Sequence, residues 1–80
     1  MNDVRLDTRG QLCPLPIIKL ARHIHDVAVG DTITVVSDDP AAASDVAAWC
    51  RMRDHELVRA DTGLPDDGPD ATAYVVRRLR

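Results

Sequence analysis

Phenylalanine is missing from this 80-residue chain, and its aromatic content is confined to Trp49 and Tyr74. Stacking single-stranded nucleic acid needs several exposed aromatic faces, so that class is excluded. Positive charge is not in excess either: the formal net charge is -3 and the pI is near 5.4, the wrong sign for a face that binds phosphates. Direct contact with nucleic acid is not expected. No apolar run approaches the roughly 20 residues of a bilayer span. Met1 leads into Asn2, Asp3, Val4 and Arg5 rather than a basic segment and an apolar stretch, so no secretory signal is expected. The expectation is a cytoplasmic protein with no membrane partner. Glycine-rich phosphate loops and dinucleotide fingerprints are absent, so no cofactor is expected. His23, His25 and His55 are not spaced with cysteines or carboxylates as metal ligands are, so no metal is expected.

Cysteine is scarce, with only Cys13 and Cys50. Two are too few for a disulfide scaffold, and in a reducing compartment each is a free thiol. Spacing alone leaves a Cys13–Cys50 pairing open.

What the chain does have is a globular balance, with 45% hydrophobic and 29% charged residues. At this length one domain over residues 1–80 is expected, with a core of Val, Leu, Ile and Ala and no large cavity. Val4 to Leu6 alternates as a short strand, and Gly10 breaks it. From Pro14 to about Val27 the apolar residues Ile17, Leu20, Ala21, Ile24 and Ala28 recur at helical spacing, with Gly30-Asp31 as a glycine C-cap. Thr32 to Val36 is strongly β-prone. Asp39-Pro40 has the form of an N-cap followed by proline. A second helix then runs to about Arg53, with Ala43, Val46, Ala47 and Cys50 on its inner face. His55 to Ala60 and Thr72 to Leu79 are two further strands, and the acidic segment 61–70 between them reads as a hairpin loop with a solvated tip. The order is βαβαββ. Right-handed crossovers place both helices on one face, predicting an α/β two-layer sandwich with a mixed four-stranded sheet.

Cys13 stands out because Pro14 and Pro16 bracket the start of the first helix. A helix tolerates proline in its first turn, where an N–H has no internal partner. Cys13 is then the N-cap, although the restriction on residues preceding proline also allows a start at Pro16. In either register the thiol meets the positive end of the helix dipole, which favours the thiolate. A dithiol oxidoreductase has its resolving cysteine three residues on. Here that position is Pro16, so Cys13 is a single-thiol site, suited to carrying a group. Cys50, on the inner face of the second helix, is explained by packing.

The elements Leu6-Asp7-x-x-Gly10-x-x-Cys13-Pro14-x-Pro16, Gly30-Asp31, Asp38-Asp39-Pro40, Trp49-Cys50 and His55-Glu56-Leu57 resemble the TusA-like (SirA-like) sulfur-carrier proteins over residues 4 to about 60. The resemblance implies the same βαβαββ sandwich and a sulfurtransferase of the carrier type. Cys13 would accept sulfane sulfur as a persulfide from a cysteine desulfurase or rhodanese-like donor and relay it to an acceptor protein. In relatives such relays lead to tRNA thiolation, molybdenum cofactor, sulfur oxidation or selenium metabolism. Gly10, Pro14 and Pro16 form the supporting motif, Gly10 through a turn of positive φ.

Arg9 is either a partner for an anionic persulfide or a solvated surface group. Leu15 and Ile18 sit off the core face, as an apolar docking patch or as the edge of the core. Arg77, Arg78 and Arg80 form a basic C-terminal edge that meets an acidic partner or protects an exposed strand. Two departures from the family pattern are the acidic 61–70 segment, which either selects partners or is a solvated hairpin tip, and Ala47, where many relatives carry proline. A monomer or weak oligomer is expected. Two other readings remain at this level: a regulatory or protein-interaction module with an incidental cysteine, and a redox sensor using Cys13 and Cys50.

Overall fold

A computed structural model of the chain describes residues 4–12 and 14–80. Residues 1–3 and Cys13 lie outside the described residues, so the N-cap role expected of Cys13 does too. Strand β1 spans Val4–Asp7, helix α1 Leu15–His23 with a 3₁₀ turn at Ile24–Asp26, and strand β2 Thr32–Ser37. Helix α2 spans Ala42–Arg53, strand β3 Glu56–Thr62 and strand β4 Thr72–Arg77. The βαβαββ order is the expected one.

The four strands form one sheet in the order β1-β2-β4-β3. β1 runs parallel to β2, while β4 is antiparallel to both β2 and β3. The period-2 pleat sorts each strand into two faces. Val4 and Leu6 lie beside Ile33 and Val35, and these beside Val76 and Tyr74. This face packs against Leu20 and Ile24 from the first helical segment and Val46, Trp49 and Cys50 from α2 in a single core. Both helices therefore cover the same side of the mixed sheet, as a two-layer sandwich requires.

Several boundaries and faces differ from expectation. Ala21 and Ala28 are exposed, and α1 instead buries Pro16 and Leu20, with Ile24 and Val27 following. The α-helix ends early because its last turn tightens into the 3₁₀ turn and Val27 goes extended, with φ -108° and ψ 153°. Gly30 is thus no helix cap. It takes φ +93° in the turn before β2, where its N–H donates to the Arg78 carbonyl at 2.6 Å. α2 starts two residues beyond Pro40, because the Asp39 carboxylate accepts the Ala41 N–H at 3.0 Å and holds a separate turn first. Its inner face is Ala42, Val46, Trp49 and Cys50 rather than one through Ala43 and Ala47. β4 is an interior strand, so Arg77 and Arg78 protect no edge. Arg77 pairs with Glu56 at 3.1 Å, and Arg78 donates to the Val27 carbonyl at 2.7 Å, fastening the connection between α1 and β2.

Candidate functional site

β1 delivers the chain to the end of the sheet where α1 begins. Just past the strand, Thr8 is fully buried, and both its N–H and its hydroxyl donate to the Val36 carbonyl, at 2.8 and 2.6 Å. A turn follows in which Gln11 donates to the Thr8 carbonyl at 3.1 Å. Gly10 has φ +80° there, a region that costs other residues strain, and its N–H donates to Asp38 at 3.0 Å. The ends of β1 and β2 are thereby pinned together three residues before Cys13.

On the other side of Cys13, Pro14 is the N-cap of α1, with φ -97° and ψ 16°. Leu15 donates to the Leu12 carbonyl and Ile18 to the Pro14 carbonyl, each at 3.0 Å. The helix register thus falls between the two that the prolines allow, with Pro16 in the first turn and buried. Proline is at home here because its missing N–H has no helical carbonyl to reach. The first turn carries no acidic residue and no side-chain cap. Its positive end acts mainly as a field, since Pro14 and Pro16 have no N–H to donate.

Exposed apolar side chains surround this stretch. Leu15 and Ile18 are 48% and 46% exposed, and Leu12, which sequence reasoning passed over, is 72% exposed. Its signal was simple adjacency to Cys13 in a polar turn.

Arg9 is engaged elsewhere. Its Nε and one terminal nitrogen donate to the two Asp7 oxygens at 2.9 and 2.6 Å. The other terminal nitrogen donates to the carbonyls of Asp66 and Asp67 at 3.2 Å each. The guanidinium holds the Asp7 carboxyl well below the usual carboxylate range, and Asp7 in turn raises the Arg9 pKa.

These contacts anchor the hairpin loop at Asp67, while residues 62–66 and 69–70 stay exposed, as expected of a solvated tip. The segment following β3 folds back over the outer face of the sheet, where Val36, Ala71 and Ala73 form a small second cluster. Asp67 is buried there and accepts from Arg5 on both oxygens, at 2.5 and 2.6 Å. The Asp67 side chain is 5% exposed against 46% for Arg5, which makes the pair asymmetric. Arg5→Ala leaves a carboxylate buried without its cation and is expected to cost about 1–3 kcal/mol. Asp67→Asn leaves a half-exposed guanidinium that water can serve, and should cost less. Urea unfolding of both single variants and the double variant measures the order and the coupling; a larger loss for Asp67→Asn would refute it.

Cys50 is a free thiol, 3% exposed, and burial pushes its pKa up to about 11. His55 stacks on Trp49 with ring centroids 5.3 Å apart, and its Nδ1 accepts the Leu79 N–H at 3.2 Å. Burial first, then the positive charges of Arg78, His25 and Arg80, lower its pKa below 6.5. As pH falls, an unfolded chain therefore takes up that proton first, and the His55 contribution to stability fades from about pH 6.5 downward. An NMR titration should place the His55 imidazole below 6.5; a midpoint at or above that value would contradict the assignment. Among the described residues no cluster of histidine, cysteine and carboxylates could hold a metal ion, and no helix is long and apolar enough to cross a membrane.

The chain is thus a two-layer α/β sandwich whose exposed apolar side chains Leu12, Leu15 and Ile18 flank a proline-bracketed helix start. The family model described as sulfurtransferase TusA matches residues 4–78, and the chain belongs to that family. Its members are sulfur carriers that pass sulfur between proteins.

Proposed function

We propose that this chain carries sulfur as a persulfide on Cys13, taking it from a donor protein and relaying it to an acceptor protein. The observation that carries this reading is the family match across Cys13-Pro14-Leu15-Pro16, joined to the start of α1 at Leu15. In the loading step the Cys13 thiolate attacks the outer sulfur of a donor persulfide. The new S–S bond forms as the donor's own S–S bond breaks, and the donor cysteine leaves as a thiolate. No net oxidation occurs and no cofactor enters. Unloading is the same exchange with an acceptor thiolate as the attacking group. Gly10, Pro14 and Pro16 set the backbone on either side of the thiol. Leu12, Leu15 and Ile18 give a partner an apolar surface beside it. A cysteine desulfurase or a rhodanese-like protein fits the donor role, and the cytoplasm fits the thiol chemistry.

Intact-mass spectrometry after incubation with a cysteine desulfurase and cysteine tests the reading. Wild type should gain one sulfur and Cys13→Ser none. Absence of gain with several donors of both kinds would sink it.

A further inference from the structure

At the far end of the helical layer from the start of α1 lies a second candidate site. α1 has nine residues and its 3₁₀ turn three, so the C-terminal end of this segment is about 20 Å along the axis from its start. There the ends of α1 and α2 frame a half-open cleft of about 410 Å³. Trp49 and His55, stacked on each other, form part of its lining. Arg53, Arg80 and His25 also line it, against a single acidic residue, Asp54, which Arg80 holds at 2.8 Å. Arg53 has no ion-pair or hydrogen-bond partner among the described residues. Met52, 76% exposed, stands at the mouth. The chain as a whole is acidic, so the two arginines at this cleft run against its overall charge.

We propose that this cleft binds an acidic segment of a partner protein, in which carboxylates alternate with apolar side chains. Arg53 offers an uncommitted guanidinium to one carboxylate, and Arg80 can exchange Asp54 for a second. Met52 adapts its unbranched side chain to an apolar neighbour. A nucleic-acid strand fits poorly. Trp49 is 7% exposed and offers no free stacking face for a base. This inference does not depend on sulfur transfer. It adds a contact that leaves the Cys13 end free, so one partner can hold the carrier while another exchanges sulfur with it.

Trp49 is the sole tryptophan and lines the cleft, so its emission reports occupancy. The full chain is titrated with an acetylated peptide of alternating glutamate and leucine. The glutamine–leucine counterpart, inorganic phosphate and a single-stranded oligonucleotide are run in parallel. Saturable binding of the acidic peptide is expected. Its Kd should rise about five-fold in Arg53→Gln, consistent with loss of one exposed charge contact, and further in the Arg53→Gln/Arg80→Gln double variant. Arg59→Gln, on the outer face of the sheet, should bind as wild type does. Four outcomes overturn the proposal: no saturable change, equal binding in the double variant, equal binding of the glutamine peptide, or tighter binding of phosphate or the oligonucleotide. Sulfur loading by mass spectrometry is read on the same samples, so failure here is distinct from failure of the carrier role.

Discussion

Cys13→Ser is expected to lose sulfur loading completely, while Cys50→Ala loads like wild type. The contrast follows from two opposite environments in one chain. With its pKa pushed up to about 11, Cys50 exists as thiolate only on the order of a few parts in ten thousand at pH 7.5. It is also 3% exposed, so a donor persulfide has no route to it. Cys13 directly precedes Pro14 and the start of α1 in the chain, and on the proposed reading the helix dipole favours its reactive anion. Alanine is the better probe at position 50, because serine would bury a hydroxyl in an apolar layer. Loss of the sulfur atom there should cost about 1–2 kcal/mol, enough to lower the melting temperature without abolishing the fold. A folded Cys50→Ala that fails to load would instead favour the two-cysteine redox reading, as would reversible loss of both thiols under mild oxidant.

Leu20→Ala is expected to bring the chain close to unfolding. Leu20 is fully buried in the main core beside Ile24, Ile33, Val35 and Val46, and α1 faces the sheet chiefly through it. Truncation of such a residue costs about 2–5 kcal/mol, against a total of about 5–15 kcal/mol for domains in general. The corresponding fall in melting temperature is about 10–30 °C at this chain length. Ala28→Ser gives the contrast, since Ala28 is exposed and a substitution there should stay within about 0.5 kcal/mol. Thermal unfolding followed by circular dichroism separates the two. A melting temperature for Leu20→Ala within a few degrees of wild type would mean that α1 packs through a different face.

The element order was legible because the hydrophobic period changes four times along the chain, and β-branched runs such as Thr32 to Val36 mark the strands. The finer misreadings have local causes. At Asp39 the carboxylate caps a turn rather than the helix, which displaces the α2 start. The core also takes in Trp49 beside the expected Val46 and Cys50, a position the alanine-rich sequence of α2 does not advertise. Strand order is not written in a periodicity, so the interior place of β4 was invisible, and with it the structural duties of Arg77 and Arg78. The folded-back loop was equally hidden, because it depends on Arg5 and Asp67, which lie 62 positions apart. Around Cys13 the prolines, Gly10 and the exposed Leu15 and Ile18 were readable from spacing, since they act within a turn or two of one another. The engagement of Arg9 with Asp66 and Asp67 was not, for the same reason as the loop.

The segment joining β3 to β4 is tied by Arg9 to the stretch that leads into Cys13, and by Arg5 to β1. It therefore works as a splint: the turn at Arg9 and Gly10 is braced from the outer face of the sheet. Changes in its length or charge are transmitted through one guanidinium to a point four residues from the thiol. A loop on the opposite side of the sheet from the helices thus holds the turn that precedes the Cys-Pro-x-Pro stretch in the chain.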